Sequence, residues 1–141
     1  MPSLRERLVL AVIARVSAAV QPVPVLRSPA TPVFRDTNAA LLLFPESDAV
    51  TEHSNGVVTR ALTLRLVALA RGDDAFAATD HLIVAAHAAL LADPNFGGLA
   101  LAVRELDCEW DSDDTDTGAV AQPARYAIRY RTHTHDLTGS G

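Results

Sequence analysis

The residues best suited to chemistry in this chain lie near its C-terminal end. His133 and His135 are separated by a single residue, so in an extended segment both imidazoles point to the same side, and Asp136 follows directly. Two imidazoles and a carboxylate can bind a metal ion, or can act as a base with its orienting partner. No nucleophile or third ligand can be named beside them. The pattern therefore favours a solvated tail, with a small ligand-binding or hydrolytic domain as the alternative.

Carboxylates are concentrated in a second stretch, at Asp111, Asp113, Asp114 and Asp116. Their oxygens are of the type that Ca²⁺ prefers. An EF-hand loop counted from Asp111 requires Gly at its sixth position and Glu at its twelfth, where this sequence has Asp116 and Gln122. The stretch is therefore predicted to be a solvated hairpin tip and not a cation site.

The remaining reactive side chains also lack partners in the sequence. Cys108 is the only cysteine, so no disulfide can form within the chain, and a buried, inert thiol is predicted. His81 and His87 are separated by about 600° of helix, so they do not share a face and cannot form a two-histidine metal site. Phosphate-loop, G-x-S-x-G, H-E-x-x-H and C-x-x-C motifs do not occur in the sequence. These features predict a protein that is not an enzyme and that binds no cofactor or metal.

Composition limits the classes of partner. The 141 residues are predicted to form one domain, 1–141, with a net charge of −5 that argues against nucleic acid as the partner that determines affinity. Apolar residues make up 49% but aromatic residues only 5%, so the core is expected to consist of Ala, Val and Leu, with some apolar surface buried in an oligomer. The N-terminal segment has neither a signal-peptide pattern nor a membrane-spanning run, which predicts a cytoplasmic product with no membrane partner.

The longest run with the period-two alternation of a β-strand is Val57–Arg71. Apolar side chains occupy one of its faces, and Thr59, Thr63, Arg65 and Arg71 lie mostly on the other. A later segment, 124–132, alternates an aromatic face with a cationic face. Both segments are predicted to be strands with one face toward a core and one toward water or a partner.

Helix signals lie on either side of the long strand. Ser3 and Glu6 have the spacing of a capping box, which predicts a helix that ends at Gln21-Pro22. A second helix is predicted from Asp73 or Asp74 to about Ala92, with Phe76, Ile83 and Leu90 at heptad spacing on its inner face. Further strands are predicted at 25–27, 39–44 and 99–110, polar loops at 28–38, 46–56 and 111–118, and a disordered end at 137–141.

Together these patterns predict an α+β domain in the order α-β-β-β-α-β-β, with a mostly antiparallel sheet of about four to five strands packed by two helices. This sequence resembles the tail-terminator, or tail-completion, family of long-tailed bacteriophages. Three segments carry the resemblance: the N-terminal helix with Arg5 and Ile13, the passage LLADP at 90–94 with Gly97 and Gly98, and the closing strand YAIRYRT at 126–132. Their order and spacing span nearly the whole chain.

The resemblance implies a non-enzymatic virion protein that forms a hexameric ring. Such a ring caps the tail tube at its head-proximal end, stops tube polymerisation and offers a surface for head joining. Its partners would be the tail-tube protein and a head-completion or neck protein, and DNA would pass through the lumen without specific binding. Another ring-forming virion protein, such as a neck connector or a tube subunit, is the nearest alternative. The expected interface residues are Arg65, Arg71, Asp111, Asp113, Asp114, Asp116, Arg129 and Arg131.

Overall fold

The computed structural model describes residues 1–28, 38–110 and 119–141. Two helices and six strands follow one another in these segments, with a short 3-10 turn at Phe96–Gly98 after the second helix. The elements are α1 (Leu4–Val20), β1 (Val25–Arg27), β2 (Ala39–Ser54), β3 (Val57–Arg71), α2 (Ala75–Ala92), β4 (Ala102–Leu106), β5 (Ala119–His133) and β6 (Asp136–Ser140).

The strands form one curled sheet in the order β1-β2-β3-β5-β4, and β6 pairs with the end of β5 beyond β4. The β1–β2 pair is parallel and the other pairs are antiparallel. This confirms the predicted α+β class, the mostly antiparallel sheet and the packing by two helices. The sheet has six strands, which is more than the sequence predicted.

Strand β3 lies in the centre of the sheet, as its alternation suggested. It pairs with β2 on one side, and on the other with β5 over its full length, from Val57 opposite His133 to Arg71 opposite Ala119. Both helices cover the same face of these strands. The side chains that β3 and β5 bury there are large and apolar, and they include Leu62, Leu64, Leu66, Tyr126, Ile128 and Tyr130.

Helix α1 begins where the capping signal placed it. The Ser3 hydroxyl accepts a hydrogen bond from the Glu6 amide at 3.1 Å. The Glu6 carboxylate contacts the Arg27 guanidinium at 2.7 and 2.8 Å, which anchors β1 to α1 and holds the pKa of Glu6 below its usual range. The helix then buries the residues at a spacing of about four, since these face the sheet: Leu4, Leu8, Val12, Val16 and Val20.

The predicted polar loop at 46–56 is wrong. Residues 46–54 belong to β2, which extends to Ser54. Two bulges shift its pairing register with β3, and the chain turns only at Asn55-Gly56. These residues form the outer part of a strand whose side chains are mostly exposed, so the apolar alternation that identifies a half-buried strand does not appear in them.

Three smaller predictions are also corrected. The end at 137–141 is not disordered, because Asp136–Ser140 forms β6 on β5. The strand predicted at 99–110 is limited to Ala102–Leu106. Phe76 does not face the core and is 76% exposed, whereas Leu90 is buried as predicted. The predicted loop at 28–38 and the acidic tip at 111–118 lie almost wholly outside the described residues.

Candidate functional site

The sheet has a second face, opposite the helices, which no helix of the described chain covers. We call it the open face. It consists of the alternate side chains of β3 and β5 that point away from the core: Thr59, Ala61, Thr63, Arg65, Val67, Leu69 and Arg71 on β3, and Ala119, Ala121, Pro123, Arg125, Ala127, Arg129 and Arg131 on β5. Most of these side chains are half-buried.

One end of the open face is an apolar cleft. Its volume is about 330 Å³, and apart from Arg65 the side chains that line it are apolar: Leu42, Phe44, Val67, Leu69, Ala121 and Pro123. Leucine, valine and phenylalanine side chains left half-exposed in one contiguous patch are typical of a surface that contacts another protein.

The other end of the open face is polar. A second cleft of about 420 Å³ is lined by Thr51, Glu52, Thr59, Ala61, Ala102, Arg104, Ala127 and Arg129. Across the whole face, the charged side chains of the described residues are six arginines and two glutamates: Arg65, Arg71, Arg104, Arg125, Arg129, Arg131, Glu46 and Glu52. The open face is thus cationic within a chain whose net charge is −5.

Two of these arginines are direct cross-strand neighbours, Arg65 on β3 and Arg125 on β5. Like charges in this arrangement repel each other, so each guanidinium needs a separate acceptor. The Arg125 Nε lies 3.1 Å from a Glu46 carboxylate oxygen, and its Nη1 donates to the Asp107 carbonyl at 3.0 Å. Arg65 turns toward the chain after β4, where its Nη2 donates to the Glu109 carbonyl at 3.4 Å.

The arginines nearer the hairpin end are less constrained. Arg131 donates from Nε to the Thr59 hydroxyl at 3.3 Å, which leaves its exposed guanidinium without a carboxylate partner in the described chain. Arg104 and Arg129 are exposed and make no ion pair with any residue that the structure describes. These three side chains can therefore contact carboxylates of a partner without first breaking a salt bridge.

A second unpartnered surface lies on α2. Phe76 is 76% exposed, Val84 60% and Leu91 38%. Together with Ala77, Asp80, His81 and Ala88 they occupy an arc of about 140° around the helix axis, and we call this arc the outer face of α2. Only 28% of the residues in Ala75–Ala92 are buried. The helix also has the length and composition of a membrane-spanning helix, but many core helices of water-soluble domains have the same length and composition.

The structure places the four predicted arginines on the open face. Arg129 and Arg131 lie at its polar end, Arg65 beside the apolar cleft, and Arg71 at the far end of β3 opposite Ala119. The four aspartates Asp111, Asp113, Asp114 and Asp116 lie outside the described residues. The sequence reasoning missed the outer face of α2 because it placed Phe76 in the core. The signal was the absence of Lys and Arg throughout Ala75–Ala92, which left no cationic face to meet water.

The C-terminal histidines form a compact surface group. The His133 and His135 rings stack with their centroids 5.6 Å apart. Asp136 accepts hydrogen bonds from the Thr138 hydroxyl and amide, at 2.7 and 2.9 Å, and these bonds lower the pKa of its carboxyl. No group of three potential metal ligands occurs in the described parts of the chain. Through its hydrogen bonds with Thr138, Asp136 stabilises the turn into β6.

Two further reactive side chains have structural contacts. His87 Nδ1 lies 2.8 Å from the buried Tyr126 hydroxyl, which ties α2 to β5. Cys108 is half-buried with its Sγ 3.6 Å from Arg65 Nη1, so the predicted buried position is wrong.

No protein-family model and no curated protein matches this chain. The open face and the outer face of α2 are therefore the basis for assigning it a role.

Proposed function

We propose that this chain is a structural virion protein, a phage tail terminator that assembles into a hexameric ring on the head-proximal end of the tail tube. The ring stops tube polymerisation and presents the surface to which the head is joined. The observation that carries the proposal is the presence of two different uncovered surfaces on one subunit, the open face and the outer face of α2. A closed ring built from head-to-tail contacts requires two complementary, non-identical patches on each subunit.

The distribution of charge is compatible with such a ring. Arginines are concentrated on the open face, so a contact that buries this face leaves a more acidic surface exposed. An acidic lumen repels DNA and allows it to pass without binding. We place the acidic segment 111–116 at the lumen or toward the tube, although it lies outside the described residues. The partners are then the tail-tube protein and a head-completion or neck protein, met first in the host cytoplasm and then in the virion.

The test is electron microscopy of negatively stained protein, alone and mixed with tail tubes from its own source. We expect an added ring at one end of each tube and arrested tube growth. The Val84→Asp variant should lose the ring, because it places a charge in the apolar part of the outer face of α2. The matched Leu10→Asp variant, at an exposed apolar position of α1, should retain it. Absence of rings with the unmodified protein would contradict the proposal.

A tail-tube subunit is the second candidate, and the edge of β2 favours it. Strand β1 covers β2 only at Leu41, Leu42 and Leu43, so within the described chain residues 44–54 have an unpaired edge. Such an edge can extend a sheet into the next subunit by main-chain hydrogen bonds. A tube subunit should polymerise into long tubes without other proteins, whereas a terminator should stop at a ring.

A further inference from the structure

On each of the two uncovered surfaces, charged side chains are concentrated toward one end. On the open face, the apolar cleft around Val67 and Leu69, which includes Arg65, gives way to the arginines beside Ala61. On α2, the C-terminal half presents Val84 and Leu91, and the acids lie just before or within the N-terminal half, next to the exposed Phe76. A surface with this gradient is complementary to another only in one direction, so the order of side chains determines an orientation as well as a contact.

We propose that the outer face of α2 of one subunit docks lengthwise on the open face of a second copy of the chain. The Val84–Leu91 end covers the apolar cleft, and the end with Asp73 and Asp74 meets Arg129 and Arg104. The inference deepens the proposed function and rests on it, because it assigns the two patches that a head-to-tail ring needs.

The dimensions of the two surfaces agree. An α-helix rises about 1.5 Å per residue, so the 18 residues of α2 span about 27 Å. Along β3, the distance from Leu69 at the cleft to Ala61 beside Arg129 is about 26 Å at the rise of a β-strand. The helix therefore reaches from the cleft to the arginines without extending past either.

The charges also agree. Helix α2 contains neither Lys nor Arg, and its acidic residues, Asp73, Asp74 and Asp80, lie just before or within its N-terminal half. Opposite them would lie the guanidinium groups of Arg104 and Arg129, which form no ion pair in the described chain. Pairing these groups breaks no salt bridge among the residues that the structure describes, whereas two copies of α2 packed on each other would leave the cationic face uncovered.

Cross-linking tests the contact directly. In a Cys108→Ser background, a variant with both Val84→Cys and Val67→Cys carries one thiol on each surface, and a short bis-maleimide is added at high protein concentration. We expect a ladder of covalent oligomers, because each subunit is joined to two others through different residues. The matched control, Leu10→Cys with Val67→Cys, should remain monomeric. A ladder no stronger than the control, or dimers formed equally well by Val84→Cys alone, would overturn the proposal.

Charge exchange tests the orientation. Asp74→Arg or Arg129→Asp, each added to the double-cysteine protein, should lower the cross-linking yield about tenfold by placing like charges together. The combined variant should restore the yield to within about threefold of the parent, since the opposite charges face each other again. If the combined variant is as weak as the single ones, Asp74 does not lie against Arg129 and the proposed orientation is wrong.

Failure of this contact and failure of the proposed function give different results. Tube ends capped by rings, with no cross-linked ladder, would reject the contact and leave the terminator role intact. A strong ladder from protein that never associates with tube ends would support the contact and reject that role.

Discussion

The Tyr130 hydroxyl donates a hydrogen bond to the Asp48 carboxylate and so joins β5 to β2 across the intervening β3. Both side chains lie on the helix-covered side of the sheet, close to the start of α1. The Asp48 side chain is 7% exposed, and its nearest cation is the Arg5 guanidinium at 3.5 Å. Its Oδ1 has no hydrogen-bond partner in the described chain, so the charge depends on these two neighbours.

Replacing Tyr130 with Phe should lower the free energy of unfolding by about 1–3 kcal/mol, because a buried carboxylate loses its donor while the ring still fills the core. Urea denaturation measures the change. The double variant Tyr130→Phe with Asp48→Ala should be more stable than the sum of the single changes predicts. An unchanged stability for Tyr130→Phe would show that the bond contributes nothing.

Alkaline pH should destabilise the fold through its two tyrosines. Burial raises the pKa of Tyr126 to about 12, and burial together with the Asp48 contact raises that of Tyr130. Tyrosine in an unfolded chain titrates near pH 10, so the folded state binds more protons above that pH. The stability supplied by these groups is complete below about pH 10 and is lost as the pH rises toward 12.

Tyrosinate absorbance, followed against pH with and without denaturant, measures this difference. The native curve should lie at clearly higher pH than the curve in urea. Coincident curves would contradict the burial of the two hydroxyls. In Tyr126→Phe protein, the remaining signal reports Tyr130 alone, which separates the two contributions.

Arg15 joins α1 to the turn that follows α2. Its guanidinium lies 3.8 Å from the centre of the Phe96 ring and donates to the Asp93 carbonyl at 2.7 Å. Arg15→Ala should reduce the free energy of unfolding by about 1–2 kcal/mol, and Arg15→Lys by less. Arg129→Ala is the control, since that exposed side chain has no ion-pair partner in the described chain and its loss should change stability by less than about 0.5 kcal/mol. Equal effects of the two alanine variants would refute the assignment.

The turn at the tip of the long hairpin should tolerate few residues. Asn55 and Gly56 have φ values of 51° and 80°, as a type I′ turn requires. A methyl group at Gly56 would contact nothing within 4 Å, so Gly56→Ala tests backbone conformation alone. We expect a loss of about 1–2 kcal/mol, with a smaller loss for Gly56→Asn, which adopts this conformation more readily. Similar stabilities for the Ala and Asn variants would argue against a left-handed turn.

Local chemistry in the sequence identified the parts of the fold that have one buried face. The alternation in Val57–Arg71 and the aromatic alternation around Tyr126, Ile128 and Tyr130 gave the two central strands and the direction of their arginines. The Ser3 hydroxyl gave the start of α1. In each case the periodicity or the capping residues of a segment determine whether it forms a helix or a strand, independently of residues far away in the chain.

The errors share a different cause. Residues 46–54 are paired on one side and, apart from Asp48, exposed on both faces. Main-chain pairing with β3 makes them a strand, and no side-chain pattern indicates it. Phe76 has the heptad spacing of a core residue, but a straight helix drifts about 20° per heptad, and the buried arc of α2 at Thr79, Leu82, Ala86 and Leu90 lies to one side of it. The candidate surfaces could not be read from the sequence, because the register of β3 with β5 is what brings Arg65, Arg129 and Arg131 together.

The position of β5 also bears on how the protein is made. The central strand β3 obtains one neighbour, β2, immediately before it in the chain, whereas the other, β5, follows only after α2 and β4. The core that lies between the helices and Tyr126, Ile128 and Tyr130 therefore closes only after β5 has been made. Chains that end prematurely keep an open edge on β3 and lack half of the cationic surface. Strand β5 thus completes both the core and the cationic open face.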